Sequence, residues 1–173
     1  MESGRTQIYT GCGKGKTTVA LGLALRASGH GLKVLIVQFM KGSTDYGELE
    51  SLKKLEIKCF QYGRPDFVDP KNPQPVDFQE AKSAYEKVFQ AASSGQWDVV
   101  IADEINIAHF FNLISTEQVI KLIKSRCPKT ELVLTGRYAP VEAIELADLV
   151  TEMREIKHYF NTEQLIGRQG IEF

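Results

Sequence analysis

Cysteine is scarce. The chain has three, Cys12, Cys59 and Cys127, odd in number and widely spaced. No C-x-x-C pair occurs, which argues against a zinc site or a disulfide framework and fits a reducing, cytoplasmic setting. Cys59 and Cys127 read as small buried packing residues. Neither sign of charge is in excess: 21 Lys+Arg face 22 Asp+Glu, a formal net charge of -1. That balance does not suit a nucleic-acid coat protein, and no nucleic-acid partner is expected. No uninterrupted apolar run approaches the ~20 residues of a membrane span. The first five residues have no apolar core of a secretory signal, so no membrane partner is expected either. Internal repeats and low-complexity tracts are missing. Hydrophobic residues make up 43% and charged residues 25% of the chain, the composition of an ordinary globular protein. The 173 residues fit one compact domain spanning 1–173.

The pattern that is present alternates strands with helices. Short apolar strands are expected at 7–10, 33–39, 57–62, 97–102, 131–135 and 149–153. Helical spacing is expected over 17–28, 47–54, 77–92, 116–126 and 141–147. Val34 to Val37 and Val99 to Ala102 read as strands buried on both faces, as in a parallel sheet. In the third helix Asp77 is a candidate cap, with Phe78, Ala81, Tyr85, Val88 and Phe89 on one face. In the fourth, Val119, Ile120 and Ile123 point inward. Residues 63–75 carry Pro65, Pro70, Pro73 and Pro75 and form a long loop of the kind that is often functional. The fold class is therefore α/β, with a mainly parallel sheet covered by helices on both faces. Ligands of such sheets sit at the carboxyl ends of the strands.

Chemistry concentrates at those ends. The run Thr10-Gly11-Cys12-Gly13-Lys14-Gly15-Lys16-Thr17 follows a strand and opens a helix, the context a phosphate loop needs. Glycines let successive N–H groups curl around one anion, and the helix N-terminus adds partial positive charge. Lys16 adds a full charge, and the Thr17 hydroxyl is placed for Mg²⁺. Thr10 stands where the first glycine is usual, so Gly11 and Gly13 must supply the flexibility. The second signal is Val99-Val100-Ile101-Ala102-Asp103-Glu104, an apolar strand ending in carboxylates near the metal. The third is Leu134-Thr135-Gly136-Arg137, where Arg137 reaches a phosphate or ribose or else is a surface arginine. Lys41 and His158 lie on the same side of the sheet. A solvated lysine is the default for Lys41, and His30 and His109 read as structural or exposed.

These runs occur in order along the chain. With Val37-Gln38-Phe39-Met40-Lys41-Gly42, Asp103-Glu104-Ile105-Asn106, Ala147 to Arg154, Lys157-His158 and Gly170-Ile171-Glu172-Phe173, the sequence resembles the ATP:corrinoid adenosyltransferases that carry a phosphate loop. The resemblance implies a RecA-like P-loop NTPase fold and a homodimer. It implies transfer of the 5′-deoxyadenosyl group of ATP to Co(I) of a reduced corrinoid, cobalamin or a cobyrinic acid a,c-diamide precursor. Triphosphate is released, in biosynthesis or salvage of adenosylcobalamin. A flavoprotein reductant is implied as a partner.

Carried over, Gly11, Cys12, Gly13, Lys14, Gly15, Lys16, Thr17 and Thr18 bind ATP, with Arg137. Lys16, Thr17 and Glu104 are the expected catalytic residues, and Thr17 and Glu104, with Asp103 nearby, are the expected Mg²⁺ holders. The corrin-facing aromatics fall after the third strand, where Phe60, Tyr62 and Phe67 stand; for Phe60 and Tyr62 strand core is the alternative. The family commonly has Trp in that loop and Asn at the place of Cys12. Its well-known members also carry an N-terminal segment that can cover the site, so a more open cleft or a lid from a partner is expected here. The competing readings are a small P-loop nucleotide or metabolite kinase and a non-catalytic nucleotide or corrinoid switch. A kinase calls for a lid with arginines, and 63–75 offers only Arg64 and Lys71.

Overall fold

A computed structural model describes residues 2–43 and 45–172; Phe173, the end of the Gly170–Phe173 motif, lies outside the described residues, as do Met1 and Thr44. The strands are β1 (Thr6–Thr10), β2 (Val34–Phe39), β3 (Lys58–Tyr62), β4 (Val99–Asp103), β5 (Glu131–Thr135) and β6 (Leu149–Glu152). The helices are α1 (Lys16–Gly29), α2 (Gly47–Lys54), α3 (Pro75–Ser94), α4 (Ile105–Phe110), α5 (Thr116–Ser125), α6 (Val141–Leu146) and α7 (Tyr159–Glu163). The six strands form one sheet in the order β3-β2-β4-β5-β1-β6, and every pairing is parallel. This is the expected α/β architecture, and a phosphate-loop strand (β1) separated from the carboxylate strand (β4) by one intervening strand (β5) fits a RecA-like arrangement.

The apolar runs explain the layering. β2 and β4 are buried along their whole length, each facing helices on both sides. On one face α1 lays Ala20, Ala24 and Ala27 against Ile36, Ile101 and Val133. Small side chains at that spacing let the helix axis come close to the sheet, which holds its first turn near the ends of β1 and β4. On the other face α3 and α5 contribute Ala81, Ala84, Val88, Val119 and Leu122 to a core that includes Leu35, Val37 and Phe39. Burying one such aliphatic side chain contributes about 1.5–3 kcal/mol.

Some local expectations shift. α3 starts at Pro75, in its first turn, with Gln74 as N-cap and Asp77 closing a capping box. Asp77 is thus an N3 residue rather than the cap. Phe78 is 45% exposed and off the buried face, which Ala81, Tyr85 and Val88 form. In α5 Val119 and Ile123 are buried as expected, and Leu122 takes the place of half-buried Ile120. The short helices α4 and α7 fall where no helical period was legible.

The proline-rich loop is anchored at both ends. A Cβ on Gly42 would stand 2.3 Å from the Gly63 carbonyl oxygen, so the chain after β2 and the chain after β3 run backbone against backbone. At the far end Arg64 holds the buried Asp77 carboxylate (Nε 2.8 Å, Nη2 3.3 Å), and the Gln74 N–H donates to the same group at 2.8 Å. Arg64 foremost, with that backbone donor, keeps Asp77 below its usual 3.8 against the opposing effect of burial. A depressed carboxyl stabilises the fold above its unfolded pKa, and the contribution is lost as pH falls through the folded value. Asp77→Ala should therefore cost about 1 kcal/mol at pH 7. Denaturant titrations should show that difference shrinking below pH 3.8.

Candidate active site

β1 delivers the chain into residues 11–15 and then into α1. Gly11 (φ 94°) and Gly15 (φ 113°) adopt left-handed backbone, so they carry the turn that a glycine at position 10 was not needed for. Thr10 stays in the strand, and its hydroxyl accepts from the Ala139 N–H at 3.3 Å. Gly13 is required for closeness: its N–H donates to the Met153 carbonyl at 2.6 Å, and a Cβ there would stand 2.8 Å from that oxygen. The loop thus rests on the end of β6. Lys16 is turned inward, donating to the Gly11 (2.9 Å) and Gly13 (2.6 Å) carbonyls. Burial lowers its pKa, with nearby Glu104 working the other way. Lys14 is turned outward and donates to the Tyr159 hydroxyl at 2.7 Å. Cys12 is exposed on the loop.

The end of β4 sets the second half. Asp103 is 1% exposed, and its two oxygens accept four hydrogen bonds. Thr17 Oγ1 (2.9 Å) and Thr135 Oγ1 (2.7 Å) donate to Oδ1. Gln38 Nε2 (3.2 Å) and Lys41 Nζ (3.0 Å) donate to Oδ2. Burial works against the Lys41 charge, but the Asp103 ion pair and hydrogen bond outweigh it and hold the ammonium above its usual pKa. Glu104 follows in left-handed backbone (φ 65°), its N–H donating to Thr135 Oγ1 at 2.9 Å. Holding a non-glycine residue there costs about 1–3 kcal/mol, the kind of strain that collects at functional sites. Burial first, then Asp103, pushes the Glu104 carboxyl up, while Lys41, Lys16 and Arg137 pull it down.

The donor set fits a Mg²⁺ shared with bound phosphates. Thr17 spends its proton on Asp103, which leaves its lone pairs free to face the cleft. The Glu104 carboxylate accepts no hydrogen bond among the described residues and lines the cleft. Asp103 already has a donor for each lone pair, so it orients Thr17 rather than offering a free oxygen. Among the described residues no group of three or more His, Cys, Asp or Glu is placed to hold a metal alone. That composition suits an ion completed by water and substrate oxygens.

These groups open onto a cavity of about 750 Å³. Gly13 to Thr18, Lys41, Glu104, Arg137 and His158 line it, so these parts of the loop, Arg137 and the end of β4 come together, while Gly11, Cys12 and Asp103 are not part of the lining. Lys41 is an ion-paired wall residue, not a solvated one, and His158 also reaches the cleft. The three aromatics are not brought together there. Phe60 lies on the α3 side, with the Lys87 ammonium 4.3 Å from its ring centre. Tyr62 packs against that same core, and Phe67 is 97% exposed on the proline-rich loop. Gln38, Thr135 and Gly170 to Glu172 stand in the sequence motifs without an assigned role, and Tyr46 and Glu48 stand in none. A glutamine inside the apolar run of β2 and a threonine closing β5 were the available signals, being polar groups placed where only a partner justifies burial.

Cys12 provides a direct probe. Cys59 and Cys127 are half-buried, and burial pushes the Cys59 thiol up to about 12. A maleimide should therefore modify Cys12 first, and saturating ATP should slow that reaction at least several-fold; peptide mass mapping with and without ATP checks it.

Comparison with known proteins places this geometry. Residues 2–173 match the family described as ATP:corrinoid adenosyltransferase BtuR/CobO/CobP. The chain is 37% identical over 175 residues to a corrinoid adenosyltransferase of Sinorhizobium, covering 99% of this chain and 81% of that one. It is 33% identical over 174 residues to one from Pseudomonas aeruginosa (99% and 85% covered) and 32% identical over 160 residues to one from Escherichia coli K12 (92% and 81% covered). With a phosphate loop, a strand-end carboxylate pair and a nucleotide-sized cleft in that match, the chain belongs to the ATP:corrinoid adenosyltransferase family.

Proposed function

We propose that this chain, acting as a single domain, moves the 5′-deoxyadenosyl group of ATP onto Co(I) of a reduced corrinoid in adenosylcobalamin biosynthesis or salvage. The observation that carries the reading is the mixed lining of one cleft. Lys16, Thr17 and Glu104 share a cavity of about 750 Å³ with the apolar Leu21, Tyr46, Ile107 and Ile171, which supports a phosphate and a nucleoside bound together. The substrate cobalt supplies the electron pair that forms the Co–C bond. The C5′–O bond breaks, and triphosphate leaves with its bonding pair. No protein nucleophile is needed, so the protein's work is positioning and charge stabilisation.

Each residue then has a defined task. The loop Gly11 to Thr18 cradles the triphosphate, with the Gly13 N–H kept by the Met153 carbonyl, and Lys16 leaves its loop carbonyls to pair with the anion. Arg137 sits across the cleft as a second cation for phosphate or ribose. Thr17 and Glu104 would hold Mg²⁺, with Asp103 fixing the Thr17 rotamer. Bound there, the ion neutralises charge that grows on the leaving group. The exposed Phe67 is assigned to the corrin; Phe60 and Tyr62 act as packing for β3. Exposed Val141, Leu146, Leu149 and Val150 on α6 and the edge strand β6 support a homodimer. A flavoprotein would supply Co(I), and the three free cysteines suit the cytoplasm.

The test is anaerobic: protein, ATP, Mg²⁺ and chemically reduced cob(I)alamin. Loss of Co(I) absorbance with equal adenosylcobalamin and triphosphate is expected. ATP binding without these products would favour a kinase or a switch. Lys16→Ala should lower kcat/KM at least a hundredfold, and Glu104→Gln should raise the Mg²⁺ requirement about tenfold or more. Phe67→Ala should raise KM for the corrinoid by several-fold with ATP affinity unchanged; equal effects on both would remove Phe67 from the corrin site.

A further inference from the structure

The two lysines of the phosphate loop face opposite ways. Lys16 is turned onto the loop's own carbonyls, whereas Lys14 leaves the loop and meets the far end of the chain. Its ammonium donates to the Glu172 carboxylate at 2.5 Å and to the Tyr159 hydroxyl at 2.7 Å. The Tyr159 hydroxyl donates to the same Glu172 oxygen. The other oxygen accepts from the Arg168 N–H at 2.7 Å, and the Arg168 guanidinium reaches the carboxylate at 3.3 Å. The Tyr159 ring lies near both cations, its centre 5.4 Å from Lys14 Nζ and 4.9 Å from the Arg168 guanidinium.

Little else holds this part of the chain. Backbone hydrogen bonds within 165–172 are local, from Ile171 and Glu172 back to Arg168. Ile166 and Ile171 are largely exposed and Leu165 alone of its apolar side chains is half-buried, so apolar packing holds the segment only at its start. Among the described residues, segment 165–172 is joined to the rest of the chain by the hydrogen bonds that Glu172 accepts from Lys14 and Tyr159, with Arg168 also against Tyr159. An isolated exposed ion pair contributes little. A carboxylate only 19% exposed, collecting donors from three chain segments, is a network. Arg168 above all, then Lys14 and Tyr159, keep Glu172 far below the usual carboxylate range, so it stays charged. Gly170, Ile171 and Glu172 line the same cleft as Gly13 to Thr18.

We propose that Glu172 is a positioning residue that clasps segment 165–172 onto Lys14, making this segment the wall that holds the nucleoside end of the bound nucleotide. Lys14 thereby serves the wall, not the triphosphate. The proposal rests on reading the cleft as an ATP site and adds which residues close it.

Calorimetry with two probes, ATP and inorganic tripolyphosphate, separates the roles. Both would contact the phosphate loop, and only ATP has a nucleoside. Glu172→Gln and Lys14→Met should each weaken ATP by about tenfold, the loss of a charged hydrogen bond. Tripolyphosphate affinity should hold within about twofold, and the double variant should be no weaker than either single one. Glu172→Asp should restore part of the ATP affinity. Saturating ATP should protect the Arg168 peptide bond from trypsin in the wild type and not in Glu172→Gln. Equal losses for both probes in Lys14→Met, with Glu172→Gln silent, would overturn the clasp and return Lys14 to the triphosphate. Additive losses in the double variant would overturn it as well. A wild type that binds ATP but fails adenosyl transfer would leave the clasp standing and remove the proposed reaction. A wild type that binds neither probe would remove both.

Discussion

The Asp103 carboxylate is the joint on which the site depends. It is buried at the end of β4, where a bare charge would be costly. Four donors remove that cost, and each comes from a different element: Thr17 from α1, Thr135 from β5, Gln38 from β2 and Lys41 from the turn beyond it. Four elements of the chain are thus locked in register at their functional ends by one side chain. Because β5 lies between β1 and β4, Thr135 is the side chain that spans the gap. It gives its proton to Asp103 and accepts from the Glu104 N–H, so the strained backbone of Glu104 is held by the same joint. The network also decides which carboxylate is free. With Asp103 saturated, Glu104 is the one that faces the cleft.

The phosphate loop depends on a second contact, made by backbone alone. Gly11 and Gly13 both approach the Met153 carbonyl more closely than any Cβ permits. β6 is a short, exposed edge strand, and its burial adds little to the core. Its value is as a backstop, since it fixes the curvature of the loop from behind. This is why a threonine is tolerated at position 10. The left-handed turn has moved to Gly11 and Gly15, and position 10 has become the last rung of a strand.

Legibility followed the length of the apolar pattern. β2 and β4 are uninterrupted apolar runs, and α3 and α5 carry sustained helical spacing, so the order of elements and the parallel sheet could be read directly. α4 spans only Ile105–Phe110 and α7 only Tyr159–Glu163, too short for a period to emerge. The phosphate loop and the carboxylate pair were legible because each is local in sequence and tied to a strand end. Gln38 and Thr135 were not, because their meaning lies in a partner 65 and 32 residues away. Phe60 and Tyr62 show the reverse limit. The family resemblance suggested a corrin contact, with strand core as the alternative, and their even spacing on β3 sends both rings to the α3 face.

Charge placement around the cleft suits a large anionic leaving group. Lys16, Lys41 and Arg137 surround the space where the triphosphate would sit, yet only Lys41 is neutralised by an ion pair within the protein. Lys16 is held by carbonyls, whose grip an anion can outcompete, and burial lowers its pKa despite the nearby Glu104. Glu104 has the mirror-image condition, a carboxylate pushed up by burial and by a like charge. An anion beside Lys16 and a cation beside Glu104 relieve both at once. The site is therefore most comfortable with the two bound together, which favours the metal–triphosphate complex over either component alone.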